Sequence, residues 1–269
     1  MSAGHIELAG SELTAGILTG FALFAVLETA VLYCNFRPWF KNPTLSPGPS
    51  PERYLGASIH SFVAMVITGG ILTLVFSHLD FENNPINEQY GYNNICILFD
   101  SAPATYISPI FWFFVAYLIV RFAVEDTKRL VQMQHISRGL KSASYASNVF
   151  LVTVAAAFSL CLAVAPEENM LIHTAPFVAL VIAFPLVFVM HCLQDPTRTR
   201  RYIVATGFFM VISTIKASFT IIALAQFEGI GHVPASIAQP VDVLWTLMAL
   251  SAPFLMPTPS IKPKLQYAV

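Results

Sequence analysis

Two ionisable residues sit deep inside long apolar runs: Glu28 in the stretch 13–35 and Lys216 in the stretch 202–227. A lysine or acid at the centre of a membrane-spanning helix costs about 2.5–3.5 kcal/mol on insertion scales, so such residues pair, line a polar path or hold a ligand. At about 1.5 Å per helical residue, Glu28 falls about 6 Å inward of the middle of its run and Lys216 about 3 Å outward of the middle of its own. A lysine side chain bridges most of that gap if the two helices touch. Glu28 and Lys216 are therefore the expected intramembrane charge pair. Its chemistry is either a structural lock between two helices or the centre of an ion, proton or ligand site.

Four histidines make a second pattern. His60 and His78 are 18 residues apart, and so are His173 and His191. Eighteen residues are five helical turns, so each pair shares one face of its helix. With the two helices antiparallel, His60 and His191 lie near one membrane surface and His78 and His173 near the other. Two bis-histidine sites of this kind are what a transmembrane dihaem b electron carrier needs. The two levels are about 27 Å apart by helix rise, a long gap for electron transfer. The four cysteines, Cys34, Cys96, Cys161 and Cys192, show no CxxC or finger spacing and read as small apolar residues, not as a disulfide framework. No zinc HExxH, Walker loop, nucleophile elbow or glycine-rich nucleotide turn occurs.

The elements that must position these residues follow from composition. Of 269 residues, 56 % are hydrophobic and 11 % charged, against about 25 % charged in soluble domains. The chain reads as an all-α integral membrane protein, a single polytopic domain with no separate soluble part. Seven apolar runs are visible, at 13–35, 55–77, 106–124, 145–165, 170–191, 202–227 and 241–256. Most approach the 20 or so residues a helix needs to cross about 30 Å of hydrocarbon. Backbone groups in lipid must be satisfied within the segment, so the runs are expected to be helices. The last is the weakest, bounded by Pro240 and Pro257 and containing Pro253. Pro176 and Pro185 are expected to kink the fifth.

Segments between the runs alternate sharply in charge. Those on the N-terminal side hold nine acids (Glu7, Glu12, Asp80, Glu82, Glu88, Asp100, Glu167, Glu168 and Glu228) and no Lys or Arg. The opposite side collects all the Lys and Arg except Lys216. By the positive-inside rule the N-terminus is expected outside and the C-terminus inside. No basic n-region precedes the first run, so it is expected to remain as an uncleaved anchor.

Three segments bear on packing. Gly16 and Gly20 form a GxxxG pair that allows another helix to approach closely. The segment 36–54 holds five prolines and is expected to be extended, with FRPWFK (36–41) as an interfacial anchor. The acidic, Asn- and Tyr-rich segment 78–104 is the largest expected non-helical surface and the natural docking site for a partner.

Two seven-helix families do not accommodate these residues. A retinal protein carries its Schiff-base lysine in the last helix, whereas Lys216 is in the sixth. The fragments VATGF (204–208) and VDVLW (241–245) are similar to oxidase subunit III, but that family has its N-terminus on the positive side, opposite to this charge map. The expected function is a non-catalytic multi-pass subunit or scaffold within a larger membrane complex, with the lipid bilayer, bound lipids and other membrane subunits as partners and no nucleic acid. The alternatives are a small transporter, channel or receptor centred on Glu28 and Lys216, and the dihaem carrier. The short, sequon-free chain leans towards an energy-transducing organelle membrane, the mitochondrial inner membrane in particular.

Overall fold

All seven apolar runs form α-helices in the computed structural model, which describes residues 10–44, 48–195, 199–225 and 233–255. The helices are α1 (Gly10–Lys41), α2 (Pro51–Phe76), the short α3 (Pro85–Tyr90), α4 (Ala104–Gln132), α5 (Arg138–Ala163), α6 (Pro166–Gln194), α7 (Arg200–Ala225) and α8 (Ala235–Leu255). All except α3 are long and apolar enough to cross a membrane, and no strand occurs among the described residues. The chain is an all-helical, multi-pass membrane protein by length and composition of its helices.

Several helices extend beyond the apolar runs. α4 continues through Gln132 and α5 begins at Arg138, so most of the segment 125–144 between two apolar runs is helical. Charge pairs at helical spacing support the extension: Glu125 accepts from Arg121 at 3.2 Å and from Lys128 at 2.9 Å. The segment 36–41, expected to be extended, is instead the last turn and a half of α1, with Pro38 inside the helix. Asn42 N–H donates to the Pro38 carbonyl at 3.1 Å, so the ladder resumes past the proline. In α6 the backbone leaves helical geometry at Asn169, N-terminal to both Pro176 and Pro185. Asn169 Oδ1 accepts from Ile172 N–H at 3.0 Å and caps the continuing helix. Arg198, Glu7, Glu228 and the basic tail at 257–269 lie outside the described residues.

α2 is central, packed against α1, α4 and α8, while α6 packs against α5 and α7. An aromatic ladder crosses the bundle from Phe62 to Trp112, Phe158, Phe177, Trp245 and Phe209, with successive ring centroids 4.0–6.5 Å apart. The indole N–H of Trp112 donates to the Ala155 carbonyl at 2.9 Å. In lipid, where burial of apolar surface gives little drive, this close packing and its few polar contacts hold the helices together. Large apolar side chains such as Leu74, Val26 and Phe113 point outward, as a lipid-facing surface requires.

Gly16 and Gly20 pack within the chain. A Cβ at Gly16 would run into the Pro103 ring, and one at Gly20 would lie 2.5 Å from Ile107 Cγ1. Both contacts are with the start of α4. The GxxxG surface is therefore already occupied by this chain's own helix.

The segment between α2 and α4 is a folded cap. Asn84 and Asn94 cap α3 and the 3-10 turn Ile95–Leu98 through Asn87 N–H and Cys96 N–H, both at 2.9 Å. Ile95, Cys96, Ile97 and Phe99 are buried against the bundle. Gly69 of α2 makes room for them: a Cβ there would lie 2.7 Å from the Leu98 carbonyl oxygen and 2.9 Å from the Phe99 ring. Thr73 Oγ1 also donates to the Leu98 carbonyl at 3.1 Å.

Candidate functional site

Lys216 is buried in the middle of α7, and its ion-pair partner is Asp242 of α8. The ammonium also lies 5.2 Å from the ring centroids of both Phe177 and Trp245, a cation–π arrangement that offsets lost hydration. Trp245 Nε1 donates to Ser213 Oγ at 3.0 Å, which fixes the indole. The expected Glu28–Lys216 pair does not form. Glu28 is buried on α1 and accepts a short hydrogen bond from Ser61 of α2. From the sequence Asp242 ranks behind Glu28 as the partner, because Pro240 reads as a helix boundary and leaves Asp242 at the outer end of its run. α8 starts at Ala235, which places Asp242 about two turns inside the helix, at Lys216's level.

A second network lies at the end of the bundle opposite the N-terminus. Arg129 of α4 forms ion pairs with Glu52 of α2 and with Asp126 one turn back. Its Nη2 also contacts His191 Nε2 at 3.3 Å and donates to Gln194 Oε1 at 3.2 Å, both on α6. Asn148 of α5 donates to Asp126 Oδ2 at 2.8 Å, and Gln194 Nε2 donates to Ser144 Oγ at 2.9 Å. Asp126 is fully buried. Two carboxylates share one guanidinium, whose planar fork can serve several acceptors at once.

The histidines sit in separate neighbourhoods. His60 Nδ1 lies 3.1 Å from Asn35 Nδ2, and His191 belongs to the Arg129 network. His78 Nε2 is 3.9 Å from Glu12 on the exposed surface. His173 is buried among other groups, described next. The contacts described for His191, His78 and His173 are with residues other than the expected partners His60, His173 and His78.

The third cluster joins the cap to α5 and α6. Cys96 of the 3-10 turn, Cys161 of α5 and His173 of α6 are all buried, and their ligand atoms lie within 4.8 Å of one another. Asp100 Oδ1 lies 3.7 Å from His173 Nε2. On the other side of the ring, His173 Nδ1 lies 2.9 Å from the Val164 carbonyl, a hydrogen bond the carbonyl can only accept. His173 Nε2 and Asp100 Oδ2 are buried without a hydrogen-bond partner. The hydrogen bond with Cys161, and then burial, push the Cys96 thiol well above its usual value. Burial raises the Asp100 carboxyl to about 7 against the opposing effect of His173. Cys96 and Cys161 are 65 positions apart, so no spacing rule could have linked them. The one available signal was that Cys96 lies in the apolar core of the cap segment. No known protein family matches this chain, and no curated protein or solved structure matches it either.

Proposed function

We propose that the chain is a non-catalytic, multi-pass structural subunit of a larger membrane complex, oriented with its N-terminus outside. One observation carries this reading: buried polar contacts tie every spanning helix to a neighbour. Glu28–Ser61 joins α1 to α2, the Arg129 network joins α2, α4, α5 and α6, and Lys216 joins α7 to α8 and, through the Phe177 ring, to α6. Staples of this kind make a rigid frame. A path through Glu28 and Lys216 finds no support, because each has its own partner on a different helix. The folded cap and the outer face of α1 are the surfaces offered to neighbouring subunits. An energy-transducing organelle membrane is the setting favoured by the lack of N-x-S/T acceptors in this sequence.

Extraction in mild detergent tests the proposal. The protein should co-migrate with other integral membrane subunits on native gels and by native mass spectrometry. A monodisperse monomer in native-lipid nanodiscs, with nothing co-purifying, overturns it.

A further inference from the structure

We propose that Cys96, Cys161, His173 and Asp100 form a tetrahedral zinc site that pins the extramembrane cap to α5 and α6. The inference is independent of the subunit reading.

The donor set carries it. Two cysteine sulfurs, one imidazole nitrogen and one carboxylate oxygen are the ligand types Zn2+ takes, in the number a closed structural site uses. Zn–S bonds of about 2.3 Å and Zn–N or Zn–O bonds of about 2.0–2.2 Å at tetrahedral angles put ligand atoms roughly 3.3–3.8 Å apart, the nitrogen–oxygen pair at the short end. Asp100 Oδ1 already stands 3.7 Å from His173 Nε2, and the other three donors lie within 4.8 Å of one another. Cys96, Cys161 and His173 therefore already converge on a common point, and Asp100, beside the imidazole, turns in as the fourth ligand.

The imidazole is set for the role. Because the Val164 carbonyl can only accept, Nδ1 carries a proton, and Nε2 is the nitrogen left to take a metal once it gives up any proton of its own. A backbone carbonyl on the far nitrogen is how metal-ligating histidines are commonly oriented. Nε2 is buried, with Asp100 Oδ1 at 3.7 Å, and His173 has a ring nitrogen within 4.8 Å of both sulfurs. Asp100 Oδ2 is likewise buried and unpartnered. Buried polar atoms left unmet are destabilising, and an ion bound by the Asp100 carboxylate draws its charge into a satisfied site.

The supporting shell is also built. Asn94 caps the turn that holds Cys96, and Gly69 admits that turn to α2. Binding displaces the two thiol protons to solvent as two Zn–S bonds form, with no change of oxidation state. Two thiolates and a carboxylate around Zn2+ leave a net charge of −1.

The test is metal analysis of the full chain, purified in detergent after thiol alkylation at lysis. About one zinc per chain is expected, with Cys96 and Cys161 protected from alkylation until a chelator is added. Cys96→Ser, Cys161→Ser and His173→Gln should each lose most of the zinc, whereas Cys34→Ser should keep it. Should a ligand variant fail to fold, Co2+ titration of the chelator-stripped wild type gives the same answer, through a thiolate-to-cobalt charge-transfer band. A Cys96–Cys161 disulfide in the cell-derived protein, bound copper in place of zinc, or two freely alkylated thiols with no metal and no cobalt band would each overturn the site.

Discussion

Lys216 on α7 pairs with Asp242 on α8, while Glu28, the other buried charge near mid-membrane, is held by Ser61 on α2. The arrangement predicts which mutations couple. Lys216→Met or Asp242→Asn alone leaves one buried group unmatched and should cost about 3–5 kcal/mol. The double variant Lys216→Met/Asp242→Leu should cost clearly less than the two single effects summed. Lys216→Met combined with Glu28→Gln should be additive within about 0.5 kcal/mol, as for sites that share no partner. Denaturant unfolding in mixed micelles measures all three. Coupling between Glu28 and Lys216 would contradict the pairing.

The Arg129 network makes a different prediction, because one guanidinium serves acceptors on two neighbouring helices as well as its own. Arg129→Met strands Glu52 and the fully buried Asp126 and should rank among the most destabilising single changes, at about 3–5 kcal/mol. Arg129→Lys should recover little, since a point charge cannot replace the planar fork. Adding Glu52→Gln and Asp126→Asn to Arg129→Met should restore much of the lost stability. Thermal unfolding in detergent separates these outcomes, and full rescue by lysine would mean that charge alone matters.

How much of this was legible in the sequence depends on the distance over which each signal acts. Spanning helices announce themselves locally, since twenty apolar residues in a row have few other uses. Their ends do not. α4 and α5 run on through Glu125 and Arg138, where composition turns polar but i,i+4 pairing still supports helix. Lys216 is recognisable as a residue in need of a partner, and Asp242 ranks second to Glu28 only because reading Pro240 as a boundary shortens the helix by about two turns. The Cys96–Cys161–His173 cluster was illegible for a deeper reason. Its members come from three elements brought together only by the folding of the cap, and each reads as an ordinary buried side chain by itself.

Gly69 and Gly70 are neighbours in sequence with opposite expected responses. At Gly69 a Cβ meets the Leu98 carbonyl oxygen and the Phe99 ring, so Gly69→Ala must push the cap off α2, at about 1–3 kcal/mol. At Gly70 the nearest atom is Leu98 Cδ1 at 3.9 Å, and Gly70→Ala should be neutral or stabilising by up to about 1 kcal/mol through helix propensity. Hydrogen exchange across 92–100 should rise in the first variant alone. Equal protection in both would show that the cap does not rest on Gly69.

Tyr92 gives the cap a signature at alkaline pH. Burial, with smaller contributions from Tyr90 and Cys96, raises its phenol to about 12, whereas an unfolded tyrosine ionises near 10. The folded state thus favours the neutral phenol. The associated stability is fully present below pH of about 10 and is lost as pH rises to about 12, amounting to of order 2 kcal/mol. Tyr92→Phe should flatten the decline in stability across that window. An unchanged pH profile in the variant would show that the phenol ionises freely in the folded protein.

The orientation is the last prediction, and it rests on charge alone. Among segments flanking the helices, the N-terminal side holds acids and no Lys or Arg, and the other side holds all the Lys and Arg except Lys216. Seven crossings put the two termini on opposite sides, and basic flanks are retained on the cytoplasmic or equivalent face. Glu82 in the cap and Gln134 between α4 and α5 are both exposed and report on opposite surfaces. In a Cys34→Ser background, which removes the exposed native thiol, Glu82→Cys should react with a membrane-impermeant maleimide in intact vesicles of native orientation. Gln134→Cys should react only after the membrane is opened. The reverse pattern would invert the topology and leave the seven-helix count intact. Reaction of both from one side would require an even number of crossings between residues 82 and 134, and α4, the one spanning helix between them, could then not cross the bilayer.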